Sequence, residues 1–326
     1  MHRFPRWDRW LKYAVDNLVG RIVATESSAS HLREAGRESG LGRWDEIPLE
    51  GLTFDEFVTL NDGPPAVAQV SPGPVAGLVE RYLAIGGLPA FATARDLVLV
   101  REHVHNDIVD RAIQRDLTDR IDDPERLRRL FVYLMQQSRS EQNSNDQASD
   151  LGVDPRSVAQ WTDLLLDTFL LVALSRGATS AKAGARLRGR PRLYAADHGL
   201  VSAFATAPPR DADVRGRIFE AVVFRHLREV ARARRGEVHY LRWGDKLEVD
   251  FLLELDRDRF AIEVTQSVQV KPEKRHALLR KTNRAGAVRS VMIHGGLTGG
   301  EVEGVPLVPL ADFLADPWAA VTGARR

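Results

Sequence analysis

The sequence predicts an α/β chain of several domains. Three observations carry that prediction. Two runs of alternating apolar residues, 247–255 and 260–265, flank the polar turn Asp256-Arg257-Asp258-Arg259 and read as a β-hairpin. The run GRIFEAVVFRHLREV from Gly216 precedes them, with apolar residues at helical spacing. Upstream, helical and short extended patterns alternate. A length of 326 residues allows two or three domains, and 44% hydrophobic composition argues for packed cores.

Residues 1 to about 60 read as α/β. FPRWDRWLKYAVDN is helical, RIVAT a short buried strand, SSASHLREAGRES helical and WDEIPLEGL extended. Gly63-Pro64-Pro65 and SPGP at 71–74 read as a linker. Residues 75 to about 120 are helical, with a break at IGGLPAF. A helix through Leu151 then ends at Gly152, and Asp154 with Pro155 starts the next. Val158, Trp161, Leu164 and Leu165 form the inner face of that helix. LLVALSR and RPRLYAA would be strands joined by a basic loop.

Helix, turn, helix and strand pair together read as a winged helix over 124–197. Arg176, Lys182, Arg186, Arg188, Arg190 and Arg192 line the loop with no acidic residue among them. Such a wing suits DNA phosphates. A solvated loop on a helix pair used for internal packing is the other reading.

Three carboxylates stand out. Asp250 and Glu263 fall on one face of the hairpin, and Glu220 shares a helix side with Val223, Phe224 and Leu227. A carboxylate on an apolar helix face is costly unless paired, bonded or metal-bound. Three oxygen ligands suit Mg²⁺, which polarises phosphate and acidifies water. The competing reading has Asp250 and Glu263 exposed and Glu220 paired with an Arg such as Arg217, Arg225 or Arg242.

Other classes are excluded. The chain has no cysteine, so disulfides and thiolate metal sites are absent. A net charge of +1 gives no global field toward nucleic acid or membrane. The start does not read as a signal peptide, and the longest apolar run carries Asp167. A soluble cytoplasmic protein is expected. The histidines, His239 among them, have no metal-ligand spacing in sequence.

Several stretches carry a family likeness: HRFPRWDRWLKYAVDN, RIVATESSAS, LGR at 41–43, GLTFDEF, YLAIGGLPAF, QRDL, PRLYAADHGL, GRIFEAVVFRHL, EVDFLLEL and AIEV. In this order they resemble bacterial and archaeal AAA-type ATPases with a C-terminal domain of unknown function, family 4143. That domain is PD-(D/E)XK nuclease-like, with a restriction-endonuclease-like fold. The resemblance implies the C-terminal part of an AAA core at 1–62, a helical lid at 75–122, the winged helix at 124–197 and the nuclease-like domain at 213–315. Thr25 would be the sensor residue and Arg43 a finger-like arginine; Glu26 stands where the family has Gly. Glu220, Asp250 and Glu263 would be catalytic and metal-binding. Thr265 occupies the position of the family's Lys, with Lys246 or Lys271 as candidates to supply an ammonium.

The family's G-x-x-x-x-G-K-[ST] phosphate loop and acidic Walker B pair do not occur in this sequence. The expectation is that this polypeptide binds no ATP and that ATP enters only with a longer chain, through a misplaced start or an upstream truncation. The likeness implies no hexameric ring.

Overall fold

A computed structural model describes residues 7–17, 20–25, 45, 47–61, 72–116, 121–177, 189–244, 247–270 and 272–324. In chain order the helices of the N-terminal half are α1 (Trp7–Asn17), α2 (Phe54–Leu60), α3 (Pro72–Ile85), α4 (Leu97–His103), α5 (Asp110–Asp116), α6 (Pro124–Gln136), α7 (Ser144–Leu151) and α8 (Pro155–Asp167). Then come β1 (Leu171–Leu174), β2 (Arg192–Ala195), α9 (His198–Phe204), α10 (Ala212–Ala233), β3 (Glu237–Trp243), β4 (Leu247–Leu255) and β5 (Asp258–Thr265). The chain finishes with α11 (Pro272–Ala285), β6 (Arg289–His294), β7 (Gly300–Val302), β8 (Val305–Pro309), α12 (Leu310–Ala315) and α13 (Pro317–Thr322). No described helix is long and apolar enough to cross a membrane.

The chain divides into two compact units. The first combines Met1–Glu50, Asn106–Phe131 and Ser144–Leu171; the second combines Gly51–His105, Val132–Asn143 and Val172–Arg326.

In the first unit, α7 ends at Gly152, whose φ of +64° is open to glycine without a Cβ clash. Asp154 caps α8 by accepting from the Arg156 amide at 2.7 Å, and Pro155 occupies its first turn. Val158, Leu164 and Leu165 are buried as their spacing predicts, and Trp161 is half-buried.

RIVAT departs from expectation. Residues 21–25 form neither helix nor strand, and Val23 is 78% exposed. A strand is held by ladder bonds to a neighbour, and among the described residues no strand pairs with this segment. The helix expected at 27–39 lies outside the described residues. So do 62–71, while Pro72 opens α3, so Pro72-Gly73-Pro74 is a helix start rather than linker.

In the second unit four sequence-distant motifs meet. Asp197 accepts from the Gly87 amide at 2.8 Å and the Gly199 amide at 2.7 Å. The Tyr82 hydroxyl donates to Leu52 O at 2.6 Å, and Leu52 N donates to Gly87 O at 2.6 Å. Phe54 N donates to His226 Nε2 at 3.2 Å, and Arg225 donates to Gly51 O. Gly86 has φ +91°, and a Cβ there would stand 2.1 Å from the Asp197 carboxylate, so only glycine fits. GLTFDEF, AIGGLPAF, PRLYAADHGL and FRHL are thus one packed node.

The second unit also holds a six-stranded sheet of order β3-β4-β5-β6-β8-β7. β3, β4 and β5 are antiparallel, β5 and β6 parallel, β6 and β8 parallel, and β7 antiparallel to β8. The expected hairpin forms, with the positive φ of Asp256 (53°) in its turn. α11 supplies the crossover that a parallel β5–β6 pair requires. α10 is buried along most of its length from Ile218 to Ala231, and its buried side chains include the polar Glu220, Arg225 and His226. Phe224 stacks on Phe251 of the sheet at 5.6 Å between centroids, while Arg225 and His226 serve the node.

Candidate functional site

α10 starts at Asp211, whose carboxylate accepts from the Asp213 and Val214 amides. Two turns later Glu220 reaches the sheet with a side chain 11% exposed. In the β4–β5 ladder Phe251 faces Ile262, and one step beyond that pair lie Asp250 and Glu263. There Asp250 Oδ2 accepts from the Val264 amide at 2.9 Å. β5 carries Glu263 beside α11, and Lys281 Nζ of that helix donates to Glu263 Oε1 at 2.6 Å. Glu220 Oε1 accepts from Arg139 Nη1 at 2.7 Å.

The three carboxylates the sequence singles out therefore gather in one buried neighbourhood. The electrostatics record their crowding. Burial, then the charge of Asp250, pushes the Glu220 carboxyl up to about 7 against the pull of Arg139. Burial, then Asp250, pushes Glu263 up to about 8 against Lys281. Burial raises Asp250 as well, while the Val264 amide and Lys281 pull it back.

Thr265 is buried and takes the Ser267 amide on its hydroxyl at 3.3 Å. The cation beside Glu263 is Lys281. Lys246 and Lys271, the sequence's candidates for that ammonium, lie outside the described residues, as does Arg43. Lys281 left a signal, because it shares a helix face with the buried Leu278 and Ala285, three residues after one and four before the other. The Arg that pairs with Glu220 is Arg139, not Arg217, Arg225 or Arg242. Arg217 bonds Asp213, Arg225 bonds Gly51 O and Glu229, and Arg242 pairs with Glu141 at 2.9 Å. Thr25 is exposed, in no helix or strand.

The basic loop is split. Lys182, Arg186 and Arg188 lie outside the described residues, and Arg190 is exposed. Arg192, expected on the solvent face of the wing, is turned inward. Its guanidinium pairs with Glu248 at 2.5 Å and lies 4.4 Å from the Tyr240 ring centroid, with a side chain 6% exposed. A guanidinium so enclosed cannot meet a phosphate, and the cause is β2, whose four residues are all buried.

The carboxylate donors suit a hard divalent cation in kind. In arrangement, Glu220 is committed to Arg139 and Glu263 to Lys281. Among the described residues, the set of three that brings one ligand atom each within 4.8 Å is Glu237, His239 and Glu254 instead. There His239 Nε2 stands 2.9 Å from Glu237 and 3.5 Å from Glu254, whose carboxylate also pairs with Arg259 at 2.8 Å. His239 Nδ1 is buried with no acceptor, so a metal on Nε2 would leave an unsatisfied N–H where second-shell support is needed.

Three family profiles match separate segments: an AAA domain at residues 1–58, a domain of unknown function (DUF8612) at 77–211, and a domain of unknown function (DUF4143) at 215–313. The chain is AAA-like at its start and carries a C-terminal domain of unknown function, within a mixed α/β architecture. The DUF8612 match crosses both the expected lid and the expected winged helix. No curated protein and no solved structure matches.

Proposed function

We propose that the C-terminal part is a PD-(D/E)XK-type, metal-dependent nuclease site acting on nucleic-acid phosphodiesters, with Lys281 as its migrated lysine. The observation that carries this reading is Lys281 Nζ at 2.6 Å from Glu263 Oε1, at the end of β5 where Thr265 has displaced the expected ammonium. The order α10-β3-β4-β5-α11-β6 supports it, because one sheet end then gathers a helix Glu, a strand Asp and a strand Glu.

Glu220, Asp250 and Glu263 would hold a Mg²⁺ ion, which when bound polarises phosphate and acidifies a water. Glu263 aims the Lys281 ammonium, and that charge stabilises a phosphoryl oxygen as negative charge builds on it. The test is cleavage of single- and double-stranded DNA and RNA with Mg²⁺ or Mn²⁺. Asp250→Asn and Lys281→Met should each lower the rate by about 10²–10³-fold. Cleavage that survives both substitutions sinks the reading.

A second reading is DNA attachment through a winged helix, and the Asp154 cap that starts α8 supports it. Neutralising Arg186, Arg188 and Arg190 together should weaken DNA binding and flatten its salt dependence. The AAA-like segment has no phosphate loop in this sequence, so this polypeptide should not bind ATP–Mg²⁺ at micromolar concentration.

A further inference from the structure

We propose that Arg139 is a displaceable counter-ion that closes the carboxylate site until a phosphate draws it away, so that metal and nucleic acid bind cooperatively. This rests on the nuclease-like reading of the site and concerns its regulation.

Arg139 lies 81 residues before Glu220 in sequence, on the turn that follows α6. Its φ is +81°, a left-handed value that a non-glycine residue adopts only when its surroundings hold it there. Three contacts do so. The Arg139 amide donates to Leu193 O at 2.9 Å, and the Gln142 amide donates to Pro191 O at 2.9 Å. Glu141 is held by Arg242 at 2.9 Å. The backbone is thus anchored along β2 and beside β3, and the side chain projects from a fixed base onto Glu220 at 2.7 Å and Asp213 at 3.3 Å.

The two cations of the cluster differ in freedom. Lys281 is 12% exposed. Arg139 is 37% exposed, and its second partner, Asp213, is 64% exposed. Release of Arg139 therefore takes a side-chain rotation into solvent, with every backbone bond of the turn kept. While it stays, its positive charge sits on the carboxylate a divalent cation needs, and like charges exclude each other. A phosphate diester offers the guanidinium the same fork-shaped partner that the carboxylate does. Nucleic acid arriving at the site would take Arg139 and free Glu220.

The experiment is Mn²⁺ binding to the full chain, followed by electron paramagnetic resonance, with and without a non-cleavable phosphorothioate oligonucleotide. Arg139→Gly suits the positive φ and spares the fold, and Arg139→Lys keeps the charge without the fork. Arg139→Gly should bind Mn²⁺ about tenfold tighter than the unaltered chain. The oligonucleotide should tighten Mn²⁺ binding to the unaltered chain by about fivefold or more and leave Arg139→Gly unchanged. Arg139→Lys should fall between the two. Equal or weaker Mn²⁺ binding by Arg139→Gly, with binding still lost in Asp250→Asn, overturns the gate and leaves the site standing. Mn²⁺ binding unaffected by Asp250→Asn overturns the site and the gate together.

Discussion

Around Asp197 and His226, buried polar side chains meet backbone groups; around Asp250, they meet one another's charges. In the node, Asp197 takes two amides, and His226 lies between the Phe54 amide and Val222 O. In the cluster, Glu220, Asp250 and Glu263 repel one another and are restrained by Arg139 and Lys281. Both are buried and both join distant segments. Of the two, only the cluster crowds like charge. Their pH responses have opposite signs. The raised carboxyls of the cluster favour the folded state at low pH, and this contribution is lost as pH rises from about 4.5 through about 7 and 8. Burial, then Arg225, pushes His226 down to about 3, so the node loses stability as pH falls from about 6.5 toward 3.

The largest effect should come from Lys281→Met. It leaves Glu263 without its cation, at a cost of about 3–5 kcal/mol where that carboxylate must be charged. Urea denaturation should find the loss greatest above pH 8 and much smaller at pH 6, where Glu263 takes a proton. An equal loss at both pH values would mean that Lys281 acts through packing alone. Next, Asp197→Ala strips the acceptor from two buried amides, each worth about 1–3 kcal/mol. The same titration should register it, with hydrogen exchange at Gly87 and Gly199 rising together. The smallest effect is His226→Phe, which removes one acceptor, about 1–3 kcal/mol, and should flatten the decline in stability between pH 6.5 and 4. An unchanged acid limb would assign that decline to other groups.

How much of this was legible in the sequence depended on how local its cause is. The α10 helix and the β4–β5 hairpin follow from spacing within a few residues, and Asp250 and Glu263 came with them. The pairings of Lys281 and Arg139 did not, because each side chain reaches its carboxylate only after the chain returns, 18 residues from Glu263 and 81 from Glu220 respectively. RIVAT and FAIEVT illustrate the same limit from the other side. Both are apolar runs with high strand propensity, yet Ile262 is fully buried while Val23 is 78% exposed. The difference lies in neighbours, since β5 has β4 on one side and β6 on the other. Arg192 misled because a basic run suggests solvent, whereas β2 is buried along its whole length and carries the guanidinium to Glu248.

Residues 175–177 run alongside β3: Tyr240 N donates to Ser175 O at 3.1 Å, and Gly177 N donates to Tyr240 O at 2.8 Å. The segment matched by the C-terminal family profile, 215–313, therefore has a strand flank covered by residues outside it. Cut out on its own, it would carry an unshielded strand flank, open to lateral pairing with its own copies. It would also leave Glu220 and Glu248 without Arg139 and Arg192. The contacts that complete this region therefore reach beyond the matched segment, to Arg139, Arg192 and residues 175–177.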